Sequence, residues 1–365
     1  MTTTEHEQTA YTIDESAQSW EFSNPGSNVF DFDYTHGREQ LLRLYDKGTR
    51  KQWVASERID WSTDIVDYDN PLGVPDTGIG LAGSPIWERM NDRERGELRR
   101  HQLAWQFSNF LHGEQGALMC ASKIVNTVPD IDAKFYAATQ VIDEARHVEV
   151  FGRYLHEKLD LVYPLNMNLK SLLQDALSDT RWDMTYLAMQ VLVEGLALAA
   201  FGVIRNTAQD PLARAINAYV MQDEARHVMF GRLVLRDYYP ELTQAERDER
   251  EEFCVDACHR MRDRFLGEEI SERLGLPVDE AREWATNSPV QQEFRGYLFS
   301  RIVPIIRDIG LWGPKIRGAF EEMGVMGFAE SNVDALAAED ETVADELDRQ
   351  RAEAIQAVAD AGAAD

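Results

Sequence analysis

Four long stretches of the chain carry apolar residues at the spacing of a helix that buries one face. They cover residues 103–128, 130–158, 181–207 and 211–239. Asp and Pro residues at 129–130 and at 210–211 separate the first stretch from the second and the third from the fourth, which is typical of tight turns between antiparallel helices. Long helices joined in pairs by short turns predict an all-α fold built on a four-helix bundle.

Weaker patterns flank this core. Residues 41–60 indicate an N-terminal helix, residues 67–84 form a loop rich in Gly, Pro and Asp, and residues 251–266 and 290–309 indicate further amphipathic helices. We therefore expect a single helical domain over residues 31–328, with its core at about 103–239. A polar segment at 1–30 precedes it, and an acidic, Ala-rich tail at 329–365 follows as a solvated helix or a disordered segment.

The loop contains the pattern G-x-G-x-x-G at residues 78–83, which formally matches a dinucleotide-binding fingerprint. That fingerprint needs a buried strand before it and a βαβ unit around it, and neither is indicated here. We interpret the pattern as a flexible surface loop.

Composition and charge exclude several classes of protein. The chain has 365 residues and a formal net charge of −27, which argues against binding to nucleic acid or to anionic lipid. Residues 184–204 are apolar enough to cross a membrane, but Glu194 lies at their centre, so a buried helix is the better interpretation and no membrane partner is expected. With three cysteines and no basic residue or continuous apolar run in the first 37 residues, we expect a reduced, cytoplasmic protein.

The strongest pattern is an internal duplication. The hexapeptide DEARHV occurs at residues 143–148 and again at 223–228, an offset of 80 positions (223 − 143). Glu114 and Glu194 obey the same offset, and each lies 30 positions before the Glu of its own repeat (144 − 114, 224 − 194). Each half of the core therefore reads Glu, a long spacer, and then Glu-x-x-His.

This spacing has a geometric meaning. The first Glu of each half lies 16 positions before the turn (130 − 114) and the second lies 14 after it (144 − 130). At about 1.5 Å per residue the two carboxylates reach nearly the same height in antiparallel helices. Because Glu and His three positions apart share a helix face, two such hairpins would gather four carboxylates and two imidazoles in one layer: Glu114, Glu144, His147, Glu194, Glu224 and His227.

Four ionised carboxylates in a buried layer repel one another unless cations balance them. Two divalent metals would neutralise the layer, and these ligand types in this arrangement are those of di-iron or di-manganese bundle proteins. The alternative, an exposed salt-bridge pattern repeated by chance, is at odds with the apolar residues that flank Glu194.

Charged residues next to the ligands are repeated in both halves as well. A metal-bound His needs a partner for its other ring nitrogen. Asp143 and Asp223 are candidates, each reaching the His of the opposite half, and Arg146 and Arg226 could pair with those aspartates. The competing interpretation places all four on the surface, one position away from the ligand face.

These motifs resemble those of the ferritin-like di-iron carboxylate superfamily. The form Asp-Glu-x-Arg-His is similar to its oxygen-activating branch, the bacterial di-iron monooxygenases and p-aminobenzoate N-oxygenase-like enzymes. The resemblance covers residues 103–239 and implies a ferritin-like bundle. It also implies that Glu114, Glu144 and His147 bind one iron and Glu194, Glu224 and His227 the other, with some carboxylates bridging.

Two departures narrow the implied chemistry. The p-aminobenzoate N-oxygenase pattern has an additional His one turn before the second Glu-x-x-His, where this chain has Val220. This puts N-oxygenation in doubt. Ribonucleotide reductase small subunits carry a radical tyrosine one turn after the first His, where this chain has Phe151, so a stored tyrosyl radical at that position is excluded.

The two halves also differ in the spacing that follows each histidine. The tripeptide Phe-Gly-Arg begins four residues after the first His and three after the second. An extra residue within a helix produces a π-type distortion, and such distortions often mark functional sites. We therefore predict one near residues 148–151.

The sequence leads to a di-iron oxygenase, with manganese as a possible metal and dioxygen as co-substrate, that hydroxylates or N-oxygenates a small organic molecule. Electrons would come from an external reductase or ferredoxin, and a homodimer is expected from the architecture. The alternatives are an iron-oxidising or iron-handling protein with no organic substrate and a scaffold with a structural di-metal centre. Apolar residues near the ligands are expected to line the substrate pocket: Phe110, Leu111, Ala117, Leu118, Val141, Val191, Ala197, Leu198 and Val220.

Overall fold

The computed structural model describes residues 20–22, 26–34, 37–65 and 67–362. Within these ranges the regular structure is helical and includes no β-strand, so the predicted all-α fold is confirmed. Most of the polar segment expected at 1–30 lies outside the described residues. The helices are α1 (Glu39–Arg50), α2 (Ala55–Arg58), α3 (Pro85–Arg89), α4 (Asp92–Thr127), α5 (Ile131–Arg153), α6 (Met167–Ser178), α7 (Trp182–Tyr186), α8 (Glu194–Thr207), α9 (Pro211–Tyr238), α10 (Gln244–Asp263), α11 (Glu268–Arg273), α12 (Val278–Asn287), α13 (Pro289–Tyr297), α14 (Ile302–Asp308), α15 (Pro314–Glu322) and α16 (Val333–Gly362).

Two antiparallel hairpins, α4 with α5 and α8 with α9, pack together as the bundle core. Capped turns make the reversals short. The Asp130 carboxylate accepts a hydrogen bond from the backbone N–H of Asp132 at 2.8 Å, and Asp210 accepts one from the N–H of Ala213 at 2.6 Å. Such caps satisfy N–H groups that have no partner within the helix. Helix α4 begins earlier than the apolar pattern indicates because Asn91 starts it with a capping box.

Two π-helical stretches belong to the core helices: Tyr154–Leu159 forms the end of the helix that begins as α5, and Leu187–Val193 joins α7 to α8. The second ends directly before Glu194. The predicted distortion at residues 148–151 is wrong, since α5 is regular through Arg153. The two phenylalanines behind that prediction pack on different neighbours: Phe151 lies against Phe107, Phe110 and Phe201, and Phe230 against two tyrosines. The two Phe-Gly-Arg segments therefore differ in spacing from their histidines because their phenylalanines pack in different surroundings, and α5 needs no distortion at residues 148–151.

Some flanking segments differ from the sequence expectation. Residues 290–309 form two helices, α13 and α14, separated by turns at residues 298–301. Pro304 lacks an N–H, and its ring disfavours helix in the turn before it. The glycine-rich loop is packed on the bundle, with Ile79 only 4% exposed and the Gly80 N–H donating to Gln102 Oε1 at 2.8 Å. It is therefore no free surface loop.

The acidic segment at 329–365 contributes a helix that docks on α9. Its Asp340 is fully buried and lies 3.0 Å from Arg205 and 3.1 Å from Arg301. Ala344, one turn further on, is also buried. The first half of α16 is thus part of the packed structure, because a buried carboxylate between two guanidinium groups fixes its position.

One helix among the described residues, Trp182–Thr207, is long and apolar enough to cross a membrane. However, 89% of its most apolar window is buried inside the bundle. Its apolar character is accounted for by the core that surrounds it. The three cysteines are free and buried.

Candidate metal centre

The predicted layer of acidic and imidazole side chains lies inside the bundle. Each of the four core helices contributes to it, α4 and α8 with one Glu and α5 and α9 with a Glu-x-x-His pair. All six residues are buried, and none of them is more than 5% exposed. Burial therefore excludes the alternative that the repeat is an exposed salt-bridge pattern. The six buried residues are Glu114, Glu144, His147, Glu194, Glu224 and His227.

The two Glu-x-x-His glutamates lie between the two imidazoles. His147 Nδ1 is 3.0 Å from Glu224 and 3.3 Å from Glu144. His227 Nδ1 is 3.1 Å from Glu144 and 3.4 Å from Glu224. Both carboxylates thus cross from one half of the repeat to the other, which is the position of a bridging ligand between two cations.

Donor atoms of these residues form two overlapping groups, each with all atoms within 4.8 Å of one another. One group contains Glu114, Glu144, His147 and Glu224, and the other contains Glu144, Glu194 and His227. The resemblance implied that Glu224 binds the same iron as His227. In the structure the Glu224 carboxylate lies closer to His147 than to His227. Glu144 belongs to both groups.

Several buried donor atoms make no hydrogen bond of suitable geometry with a described residue, although some lie 3.0–3.4 Å from one another. They include Oε2 of Glu144 and Glu194, both carboxylate oxygens of Glu224, and Nδ1 of His227. Orphaned buried oxygens are costly unless something else satisfies them. Oxygen and imidazole donors in this number suit iron or manganese, so the residues present fit a two-metal site.

Electrostatics point the same way. Burial and the charge of Glu224 raise the pKa of Glu114 and of Glu194 well above the usual range. Burial opposes the charged form of the histidines, yet the charge of Glu114 beside His147 and that of Glu224 beside His227 raise both pKa values well above normal. The cluster thus holds positive charge strongly, as expected of a site that binds cations.

The two repeated aspartates cross between the halves. His147 Nε2 lies 3.2 Å from Asp223 Oδ2, and His227 Nε2 lies 3.1 Å from Asp143 Oδ2. All of these atoms are fully buried. Each aspartate can accept the Nε2 proton, which fixes the ring with Nδ1 towards the carboxylate cluster.

The repeated arginines support those aspartates. Arg146 donates to Asp143 and, at 3.0 Å, to Asp223, while Arg226 donates to Asp223. Burial opposes ionisation of Asp223, but the charge of Arg226 and the hydrogen bond with His147 keep its pKa well below the usual range. The surface interpretation of these four residues does not describe their positions.

Two supporting residues come from a segment that the sequence pattern did not connect to the site. Gln52 Nε2 donates to Asp143 at 2.7 Å, and Trp53 Nε1 donates to Asp223 at 2.8 Å. The Arg146 guanidinium also lies 4.6 Å from the centre of the Trp53 ring. They follow α1, outside the repeat, so no spacing rule could have assigned them.

Buried amides form another contact that sequence reasoning missed. Gln140 Nε2 donates to Glu144 and to Glu194, both at 2.9 Å, and Gln190 Nε2 lies 3.4 Å from Gln140 Oε1. Gln140 precedes Glu144 by one turn, and the repeat places Val220 at the corresponding position of the second half. A polar residue one turn before a ligand was the available signal. The two halves of the site therefore differ, because the first has a hydrogen-bonding amide at this position and the second has an apolar side chain.

An all-α bundle with this buried cluster defines a ferritin-like, di-metal, oxygen-activating protein. The sequence model of the p-aminobenzoate N-oxygenase AurF matches residues 35–310, and the chain belongs to that family. This membership makes it a di-metal oxidoreductase that acts on an organic substrate. Comparison with curated proteins gave no match.

Solved structures resemble the fold at low sequence identity. An R2-like ligand-binding oxidase with aerobically reconstituted metal cofactor is 18% identical, with a TM-score of 0.51, over 77% of this chain and 96% of that one. A protein from Synechococcus with aldehyde deformylating oxidase activity is 16% identical, with a TM-score of 0.46, over 61% and 96%. The former likeness supports the ferritin-like fold.

Proposed function

We propose that the chain is a non-haem di-iron monooxygenase that uses dioxygen to hydroxylate or N-oxygenate a small organic molecule. The observation that carries the proposal is the buried cluster in which Glu144 and Glu224 lie between His147 and His227. Glu114 and Glu194 complete the ligand set on either side. Manganese suits the same donors, so a mixed centre is the alternative composition.

Two bound metal ions would supply the redox chemistry that activates dioxygen for transfer of an oxygen atom. The residues of the chain position and shield that centre. Asp143 and Asp223 orient the imidazoles, and Gln140 holds Glu144 and Glu194 in a fixed relation. The apolar side chains packed around the layer exclude water, which strengthens every electrostatic contact within it.

Other parts of the proposal rest on chemistry and composition. We propose that a separate reductase or ferredoxin supplies the electrons that reduce the metals. The glycine-rich loop lies among turns and helices, without the βαβ unit of a dinucleotide site. We further propose that the protein works in the cytoplasm, in keeping with its free cysteines, and that it forms a homodimer, as its bundle architecture suggests.

The test begins with metal analysis of the purified protein and of Glu144→Ala and His227→Ala. We expect two metal ions per chain in the parent and fewer in each variant. The reduced iron form is then exposed to ¹⁸O₂ with panels of arylamines and of hydrocarbons. Oxygen uptake that depends on substrate, with ¹⁸O in the product, supports a monooxygenase, and the panel that reacts distinguishes N-oxygenation from hydroxylation.

Two results would contradict the proposal. If either variant still binds two metal ions per chain, the substituted residue is not a metal ligand and the assigned ligand set is wrong. Oxygen consumption that is independent of every organic molecule and accompanied by release of ferric ion would instead favour the iron-handling alternative.

A further inference from the structure

A cavity of about 800 Å³ lies beside the bundle, between helices α4 and α8, the glycine-rich loop and the helices α11 to α13. Leu103 and Gln106 on α4 and Val203 on α8 line it from the bundle side. At its rim, Val290 and Tyr297 are 56% and 42% exposed, so the cavity opens to solvent. It is lined by none of the apolar residues that ligand spacing suggested for a substrate pocket.

The cavity and the metal centre share two helices. Gln106 precedes Glu114 by 8 residues and Val203 follows Glu194 by 9 (114 − 106, 203 − 194). At 1.5 Å per residue these separations are about 12 and 14 Å along the helices. The cavity therefore lies at one end of the metal layer, two to three helical turns away.

Four phenylalanines of α4, α5 and α8 lie at heights between the cavity and the metal layer. Phe110 and Phe201 have ring centres 4.5 Å apart, and Phe107 and Phe151 lie within 5.5 Å of each other, with further pairs at 5.5, 5.6 and 5.8 Å. All four are at most 4% exposed. Phe110 is one turn from Glu114, and each ring contacts others of the group, so they form one aromatic partition between cavity and centre. Apolar rings of this kind can change rotamer without leaving a polar group unsatisfied.

The chemistry of the cavity wall favours an uncharged occupant. Arg99 is held by Asp76 at 2.6 Å, and both amide ends of Gln102 bond the loop backbone, at 2.8 Å to the Gly80 N–H and 3.1 Å to the Gly78 carbonyl. No described residue bonds to the amide of Gln106. Most of the remaining lining is apolar, with scattered hydroxyl and amide groups, and its one carboxylate, the exposed Glu293, disfavours an anionic occupant. Gln106 is the neutral donor and acceptor group that comes nearest to the metal ligand along α4.

We propose that this cavity binds the body of the organic substrate, and that this substrate is an extended, mainly apolar, uncharged molecule of more than one ring. This inference rests on the proposed function. A cavity of about 150 Å³ accommodates benzene, so about 800 Å³ is several times the space that a single-ring compound such as p-aminobenzoate needs. The occupant bonds Gln106 through a neutral polar group, and its reacting end passes the aromatic partition to reach the centre.

The test uses ¹⁹F NMR with 4-(4-fluorophenyl)phenol as probe and the full chain as protein. Matched ligands are single-ring 4-fluorophenol and the anionic 4-(4-fluorophenyl)benzoate. We expect the neutral two-ring probe to bind at least tenfold more tightly than either. Val203→Phe, which fills the cavity, should weaken its binding at least tenfold, and Met167→Phe, at a position 71% exposed elsewhere, should leave it unchanged. Thr207→Phe, on the exposed part of the lining, replaces Val203→Phe if that variant does not fold.

Equal binding by the parent and both filling variants, or equal binding of the anion, would overturn the proposal. Proximity to the centre is measured by loading the protein with Mn²⁺ or with diamagnetic Zn²⁺. We expect Mn²⁺, and not Zn²⁺, to broaden the ¹⁹F signal of the bound probe. If the signal stays sharp in the Mn²⁺-loaded protein, the probe does not bind near the metal centre and the proposal is refuted. A chain that binds the probe but no metal would refute the proposed function and leave the cavity as a binding site.

Discussion

Asp223→Asn tests whether the crossed aspartates set the metal affinity of the cluster. The Asp223 carboxylate accepts hydrogen bonds from Trp53 at 2.8 Å and Arg146 at 3.0 Å, lies 3.2 Å from His147 Nε2, and also bonds Arg226. Asparagine preserves the shape, but it removes the charge and turns an NH₂ group towards one of these donors. Loss of such a partner typically weakens metal binding 10- to 100-fold, or about 1.4 to 2.7 kcal/mol.

The assay is anaerobic titration with Fe²⁺ or Mn²⁺ against a chromophoric chelator, with urea unfolding of the metal-free protein recorded in parallel. Asp237→Asn is the matched control, since Asp237 lies on the same helix but is 55% exposed at its side chain. We expect its metal affinity to equal that of the parent. If Asp223→Asn binds both metals with parental affinity, the argument that this carboxylate orients His147 is refuted.

Further substitutions test other parts of the structure. Gln140→Leu removes the amide between Glu144 and Glu194 and should weaken binding of one metal about tenfold, measured as stoichiometry against metal concentration. Asp340→Ala leaves two arginines without their shared buried partner and should lower the free energy of unfolding by about 3 kcal/mol, whereas Asp345→Ala, at an exposed ion pair, should cost less than about 1 kcal/mol. Removing metal with a chelator should lower Tm, because metal at 100 times its Kd stabilises the folded state by about 2.7 kcal/mol. An unchanged Tm would mean that the folded chain holds no metal.

The sequence alone determined the bundle and the composition of its polar layer. Helical spacing fixes both the face and the height of a side chain, so the repeated Glu and Glu-x-x-His placed Glu114 and Glu194 level with their partners. Asp143 and Asp223 were candidates because each histidine needs a partner for its other ring nitrogen, but spacing also allowed them a surface position, and only burial decided between the two. Periodicity did not resolve the π-helical stretches, which depend on packing around the helix and not on residue spacing.

Only the tertiary structure decided what the rest of the chain brings to this layer. Gln52 and Trp53 reach the aspartates from a loop with no sequence relation to the repeat, and α16 docks through Asp340 although its composition is that of a solvated segment. The cavity exists because distant helices and the glycine-rich loop meet over α4 and α8. Such contacts join segments far apart in the chain, and their positions follow from complementary side-chain shape and charge in the folded molecule, which local periodicity does not encode.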